Sequence, residues 1–300
     1  MRVLVVFPHD GQTDKALVDA FAEQGHDVFS HCATREPATM HTKIISHNGE
    51  FDLVLMSRTV DLYPSFVIAK QRYPDIKFAI WNVDTRKTLD EWGFLVNFVA
   101  EVDYYFTVAL GVVERWKTIN PNTYWVSQGA QKEKYHEVIP TQEQQDEYLC
   151  DVSFIGNCID EIHTDRRYLL ETLRTSHYDF KHFQGVYDSE HNAAVACSRV
   201  NLGISHSPEI EYYTSVRTWK VLAAGGILLE QYHKGLSEMF GDRVVLYKNP
   251  TDCIAKIGDI LGNYEFHKEN ANKLQEWTLA SQCYKDRVDQ IMGIITEEKK

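Results

Sequence analysis

Apolar residues fall in two patterns along this chain. The first is a short unbroken run bounded by turn residues, as in Arg2-Val3-Leu4-Val5-Val6-Phe7, Lys77-Phe78-Ala79-Ile80-Trp81-Asn82 and Asp151-Val152-Ser153-Phe154-Ile155. A strand apolar on both faces belongs in a parallel sheet covered by helices on each side. The second recurs every three to four residues, as at Ala16, Leu17, Ala20 and Phe21, and predicts helix. Strands are predicted at 2–7, 26–30, 51–56, 77–82, 103–107 and 123–126, with helices at 14–24 and 65–72 among them. A polar, apolar-poor stretch at 140–148 reads as a linker. A second set follows, with strands at 151–155, 180–184, 200–204, 227–229 and 244–247. Its helices are predicted at 165–174, 189–197 and 253–261, and 265–295 reads as one helical, amphipathic stretch. Alternation of this kind predicts an α/β protein of two doubly wound parallel-sheet domains, 1–139 and 140–300, facing a cleft.

The chain is organised around residues 214–230, a short helix running at once into a buried strand. Thr214 or Ser215 offers a hydroxyl cap, Val216, Trp219, Leu222 and Ala223 share a face, and Gly225-Gly226 ends the helix. Arg217 and Lys220 lie three apart near the helix start, where unpaired N–H groups already carry partial positive charge. Two cations on such an end make a receptor for a diphosphate. In open α/β sheets ligands bind beyond the carboxyl ends of the strands. That rule directs attention to the loops after the strands: 8–11, 57–58, 82–86, 156–157, 185–186 and 205–215.

Composition narrows the choices. A length of 300 residues supports two cores, and a formal charge of −12, from 43 acidic against 31 basic residues, argues against general nucleic-acid binding. The six cysteines form no C-x-x-C pair and no zinc spacing, so they read as buried thiols of a reducing, cytoplasmic compartment. No apolar run is long enough for a membrane span, and the first seven residues are too short for a leader. The first loop lacks G-x-G-x-x-G and no P-loop occurs, which counts against dinucleotide enzymes and P-loop nucleotidases. No Asp-x-Asp and no helical His spacing suggests a metal, and none is expected.

Asp151-Val152-Ser153-Phe154-Ile155-Gly156-Asn157, with Arg166-Arg167 after it, resembles the start of the C-terminal domain in CgeB-like (spore maturation protein type) GT-B glycosyltransferases. Residues 216–229 resemble that family's Arg-x-aromatic-Glu helix and Gly-Gly turn, and 235–240, 244–247 and 284–288 continue the pattern. The resemblance spans roughly residues 150–290, with looser matches at 84–85 and 103–107. It implies two Rossmann-like domains, a donor held mainly by the second, a first domain that selects the acceptor, and a terminal helix returning to the first domain. Lys220 stands where the family has Glu, so a donor hydroxyl loses an acceptor there.

Glycosyl transfer requires charge stabilisation on a departing nucleoside diphosphate and a base for the acceptor hydroxyl. For the first, the resemblance implies Arg217 and Lys220, with Gly156 and Asn157 near the diphosphate and Arg167, with Arg166 beside it, in reach. Gln184, Gly185 and Val186 would meet the nucleobase, and Tyr213, Thr214, Ser215 and Thr218 the phosphates or sugar. For the base, Asp84 leads, then His9 and Asp10; Arg58 and Arg86 line the acceptor side. The expected donor is a nucleotide-diphosphate sugar, UDP-linked by preference, with no other cofactor. The expected acceptor is a glycan, a protein or a hydroxymethylated DNA base, the last because some phage enzymes of this fold modify DNA. A non-catalytic nucleotide-sugar binder and a nucleotide-sugar epimerase or hydrolase are the rival readings.

Overall fold

The computed structural model describes residues 1–8, 13–158, 164–205 and 207–297. The chain forms two compact units, one of Met1–Gln128 with the C-terminal helix and the other of Gly129–Cys283. The change of unit therefore falls after Gln128, ahead of the boundary read from the sequence.

In the first unit β1 (Arg2–Phe7), β2 (Asp27–Cys32), β3 (Leu53–Met56), β4 (Lys77–Asn82), β5 (Tyr104–Thr107) and β6 (Thr123–Trp125) make one sheet in the order β2-β1-β3-β4-β5-β6. Every pairing is parallel. Between the strands run α1 (Thr13–Glu23), α2 (Met40–Ser46), α3 (Tyr63–Arg72), α4 (Leu95–Glu101) and α5 (Val113–Lys117). The central strands are buried on both faces, as an unbroken apolar run demands. Three of these helices, at 40–46, 95–101 and 113–117, are absent from the sequence reading; each is at most seven residues long, shorter than the window of about 11–18 residues over which helical periodicity is read.

The second unit opens with α6 (Gln142–Tyr148), which corrects the linker reading of that stretch. Thr141 and Gln144 form a capping box, and Tyr148 and Gln144 hydrogen-bond Glu190 on α8 (Asp188–Cys197). Strands β7 (Cys150–Ile155), β8 (Phe180–Phe183), β9 (Ser198–Gly203), β10 (Leu228–Gln231) and β11 (Val245–Tyr247) form a parallel sheet in the order β11-β10-β9-β7-β8. Val152 and Phe154 point into a core with Leu169, Leu170 and Leu173 of α7 (Thr164–Arg174) and with α11 (Pro250–Gly262). On the other face a core gathers around Trp219 and Leu222 of α9 (Val216–Ala223), Phe240 of α10 (Leu236–Phe240) and Leu274 of α12 (Tyr264–Ser281). The run 265–295 is two helices, α12 and α13 (Tyr284–Glu297), broken at Gln282-Cys283. Helix α13 packs on α1 in the first unit, with Lys285 O accepting from Gln24 and Arg287 Nε donating to Gln128 O.

In each sheet the chain reverses its direction of travel beside the first strand. The reversal lies between β1 and β3 in the first unit and between β7 and β9 in the second. Strand ends part there and leave a crevice suited to ligands.

Candidate functional site

In the second unit the crevice beyond β7 and β9 collects two guanidinium groups. Arg217, from the first turn of α9, donates through Nε to Ile155 O at 2.6 Å and through Nη1 to Ile204 O at 3.0 Å. Arg166, from the first turn of α7, donates through Nη1 to Asn157 O at 2.6 Å and through Nη2 to the same Ile204 O at 3.3 Å. Both cations lie over the Phe154 ring, 4.6 and 5.4 Å from its centroid. Removal from water, together with Arg166 beside it, pushes Arg217 down to about 10, and burial lowers Arg166 as well. Arg166 Nε is buried without a hydrogen-bond partner.

Gly156 is required here by space. A Cβ on it would overlap Arg217 Nη2, and His182 Nε2 donates to its carbonyl at 2.7 Å. Gly156→Ala is expected to swing the guanidinium off Ile155 O with the fold retained; a crystal structure of the variant checks it.

Opposite Arg217 stands Glu230 at the end of β10, only 1% exposed. Its Oε2 accepts from Thr218 Oγ1 at 2.7 Å, and a Cβ on Gly203 would overlap it. Burial pushes Glu230 up to about 7, against the opposing pull of Thr218 and Arg217. The acid beside Arg217 is thus about half protonated near neutrality.

The other predicted donor residues divide. Asn157 is exposed at the strand end, and Gln184 and Gly185 are exposed after β8, with Gly185 at φ +71°. Val186 packs on the core. Ser215 occupies the cap position of α9, yet its hydroxyl makes no cap bond and is buried without a partner. Thr214 accepts from Trp219 Nε1 at 3.0 Å, Thr218 is spent on Glu230, and Tyr213 packs its ring against His233. Arg167 is exposed; the arginine that reaches the strand ends is Arg166, which shares a face with Leu169, Leu170 and Leu173. Lys220 diverges from Arg217. It is buried with its ammonium 4.6 Å from the Tyr135 ring and 6.0 Å from Tyr187, because the helix is covered nearly all round. Glu230 and His182 are the residues that sequence reasoning missed, while Arg166, named beside Arg167, is the one of the two that reaches the strand ends. A charged residue directly after the apolar run 227–229 is the one sequence signal from which Glu230 could be read.

In the first unit a pocket of about 520 Å³ opens at the ends of β1, β3 and β4. Arg58 and Arg86 line it and both pair with Asp84 Oδ2, at 3.2 and 3.8 Å. Asp84 Oδ1 accepts from Thr85 N at 2.9 Å, and Asn82 Oδ1 accepts from Asp84 N at 3.2 Å. Both carboxylate oxygens of Asp84 are therefore engaged. His9 and Asp10 lie outside the described residues. Among the described residues no three His, Cys, Asp or Glu side chains gather as metal ligands, and no helix is long and apolar enough to cross a membrane.

Residues 153–293 match the family described as Glycosyl transferase-like. No curated protein sequence matches the chain. Among solved structures, sucrose-phosphate synthase from Thermosynechococcus elongatus superposes with a TM-score of 0.69 at 9% identity, covering 99% of this chain and 98% of that one. The T4 phage BGT in complex with UDP and Mn2+ gives 0.64 at 10% identity over 99% of this chain and 100% of that one. An α1,3-fucosyltransferase gives 0.56 at 11% identity over 91% and 81%. At such identities the structures carry the fold, while the family match over the second unit carries the class of activity. On that footing the protein is a glycosyltransferase with the GT-B fold.

Proposed function

We propose that the protein transfers a sugar from a nucleoside diphosphate donor to a hydroxyl acceptor, with the donor diphosphate meeting Arg217 and Arg166. One observation carries this reading. Two guanidinium groups converge on a single carbonyl, Ile204 O, and the one from Arg217 lies near Glu230, an acid that burial holds up to about 7. Among the described residues both guanidinium groups bond backbone carbonyls rather than carboxylates, and such a pair favours an anion. In the reaction the acceptor O–H proton passes to a base, the acceptor oxygen bonds to the anomeric carbon, and the bond from that carbon to the diphosphate breaks. The electron pair leaves with the diphosphate, where the arginines stabilise it. Gln184, Gly185 and Val186 are assigned to the nucleobase, with the ring of exposed Tyr187 beside them. Lys220, Asn157 and Ser215 border the same donor. UDP is the favoured carrier; the T4 phage neighbour was solved with it. For the base we place His9 or Asp10 ahead of Asp84, whose oxygens are taken. The CgeB-like subtype rests on the motifs at 151–157 and 216–229. Six free cysteines suit a reducing cytoplasm.

A thermal-shift screen of nucleoside diphosphates and their sugars tests the reading, followed by product analysis with donor alone and with acceptors. Stabilisation by UDP or another nucleoside diphosphate is expected. No stabilisation by any of them would remove the donor assignment. Because arginines supply the positive charge, the transfer rate is expected to change less than about twofold in excess chelator. A collapse restored by Mn2+ would show that a metal supplies that charge instead.

A further inference from the structure

We propose that His182 is a positioning residue for the donor diphosphate: its imidazole turns the Asn157 amide N–H into the crevice between β7 and β9, where that N–H joins Arg217 and Arg166 as a third, uncharged donor. The inference rests on the transfer reading for the word donor; the geometry of the turn stands apart from it. Three successive carbonyls at the end of β7 each accept from a side chain. Ile155 O takes Arg217 Nε at 2.6 Å, Gly156 O takes His182 Nε2 at 2.7 Å, and Asn157 O takes Arg166 Nη1 at 2.6 Å. The three side chains come from α9, β8 and α7. All three gather around the Phe154 ring, whose centroid lies 5.3 Å from that of the His182 ring and 4.6 and 5.4 Å from the two guanidinium carbons.

Direction decides what the turn offers. Gly156 N donates to Phe183 O on β8 at 2.9 Å, so both polar groups of Gly156 face β8. No cis peptide bond occurs among the described residues. In a trans peptide the N–H points opposite to the carbonyl before it. The Asn157 N–H therefore points away from β8, to the side of β7 that β9 occupies. On that side Arg217 and Arg166 meet Ile204 O. Among the described residues the Asn157 N–H meets no acceptor. Burial, with Arg174, Arg166 and Arg217 adding to it, holds the imidazole below its ordinary 6.5, against the pull of the Gly156 carbonyl. The ring is thus mainly neutral at pH 7, and because a carbonyl only accepts, its one proton sits on Nε2. It fixes the peptide without placing a third cation beside two guanidinium groups. Released from His182, the peptide after Gly156 is free to turn over, since glycine has no side chain to oppose it, and its carbonyl would then confront the diphosphate.

Amide NMR on the full chain tests this, with inorganic pyrophosphate and UDP titrated separately. Each anion is expected to move the Asn157 amide signal of the wild type. His182→Phe keeps an aromatic ring but has no donor; it should abolish that movement and weaken both anions about tenfold. His182→Gln places an N–H the same number of bonds from Cα as the imidazole Nε2, and should recover affinity to within about threefold of the wild type. The wild-type response needs no variant: a pyrophosphate titration that leaves the Asn157 amide unmoved overturns the proposal. Full UDP affinity in His182→Phe also overturns it and leaves the transfer reading standing. So does equal loss in the Phe and Gln variants, because the ring and not its N–H would then matter. A response to pyrophosphate without UDP binding supports the role of His182 in the turn and removes the donor assignment.

Discussion

Arg217→Ala is expected to abolish stabilisation by UDP and to lower donor turnover by about 10²–10³-fold, the range found when a main charge-stabilising donor is removed. The side chain does two things at once. Its Nε and Nη1 tie the ends of β7 and β9 through Ile155 O and Ile204 O. Its Nη2 lies beside Gly156, at the open end of the crevice. Loss of the first role costs about 1–2 kcal/mol, because Ile204 O keeps Arg166 while Ile155 O loses its side-chain donor. Arg217→Lys separates the roles. It retains the charge but cannot span two carbonyls and an anion together, so UDP binding should remain weak while the melting temperature recovers. Unchanged UDP affinity in both variants would show that the diphosphate binds elsewhere. Arg166→Ala should give the smaller effect, since that guanidinium is tied to Asn157 O and shares Ile204 O with Arg217, which remains.

Much of the fold is legible in the chain because buried parallel strands leave a strong signal. The run 77–82 is predicted to the residue, and 2–7 likewise. What escapes detection has identifiable causes. Helix α6 contains one buried residue, Tyr148, so apolar periodicity cannot reveal it. Its Thr141-x-x-Gln144 capping box is the available sign, and it outweighs the polar composition. The break between α12 and α13 carries no Pro and no Gly; Gln282-Cys283 is set by the change of unit, a tertiary fact.

The candidate site is legible in a different way. Arg217 and Gly156 emerge from sequence because the motif that contains them is a local one. Their mutual contact does not, since 61 positions separate them (217 − 156). Lys220 shows the limit of helical spacing. Three residues from Arg217 it shares a face on paper, but Tyr135 draws its ammonium one way and two strand-end carbonyls draw Arg217 the other. Asp84 looks like a free carboxylate until Arg58 and Arg86, 26 residues before it and two after, close on it. Glu230 is hidden because its partner surface is the absence of a side chain at Gly203.

Glu230 carries the second large expectation, a dependence of stability and of donor binding on pH. Burial raises this carboxyl from an unfolded value near 4.5 to about 7. Below pH 4.5 both states hold the proton and the group makes no difference. Between 4.5 and 7 the unfolded chain releases it while the folded protein keeps it, so stability falls as pH rises. Above 7 the loss is complete, on the order of 3 kcal/mol. Glu230→Gln should remove that slope: its melting temperature relative to wild type rises by roughly 5–10 °C from pH 5 to pH 8.5. A bound diphosphate adds negative charge beside Arg217 and pushes the carboxyl higher still. UDP binding near pH 7 should therefore take up a fraction of a proton, read by calorimetry in buffers of different ionisation enthalpy. The uptake should vanish in Glu230→Gln. Equal proton uptake in the two proteins would place the diphosphate beyond electrostatic reach of Glu230, and so away from Arg217, whose guanidinium is the nearest charge that opposes the carboxyl's rise.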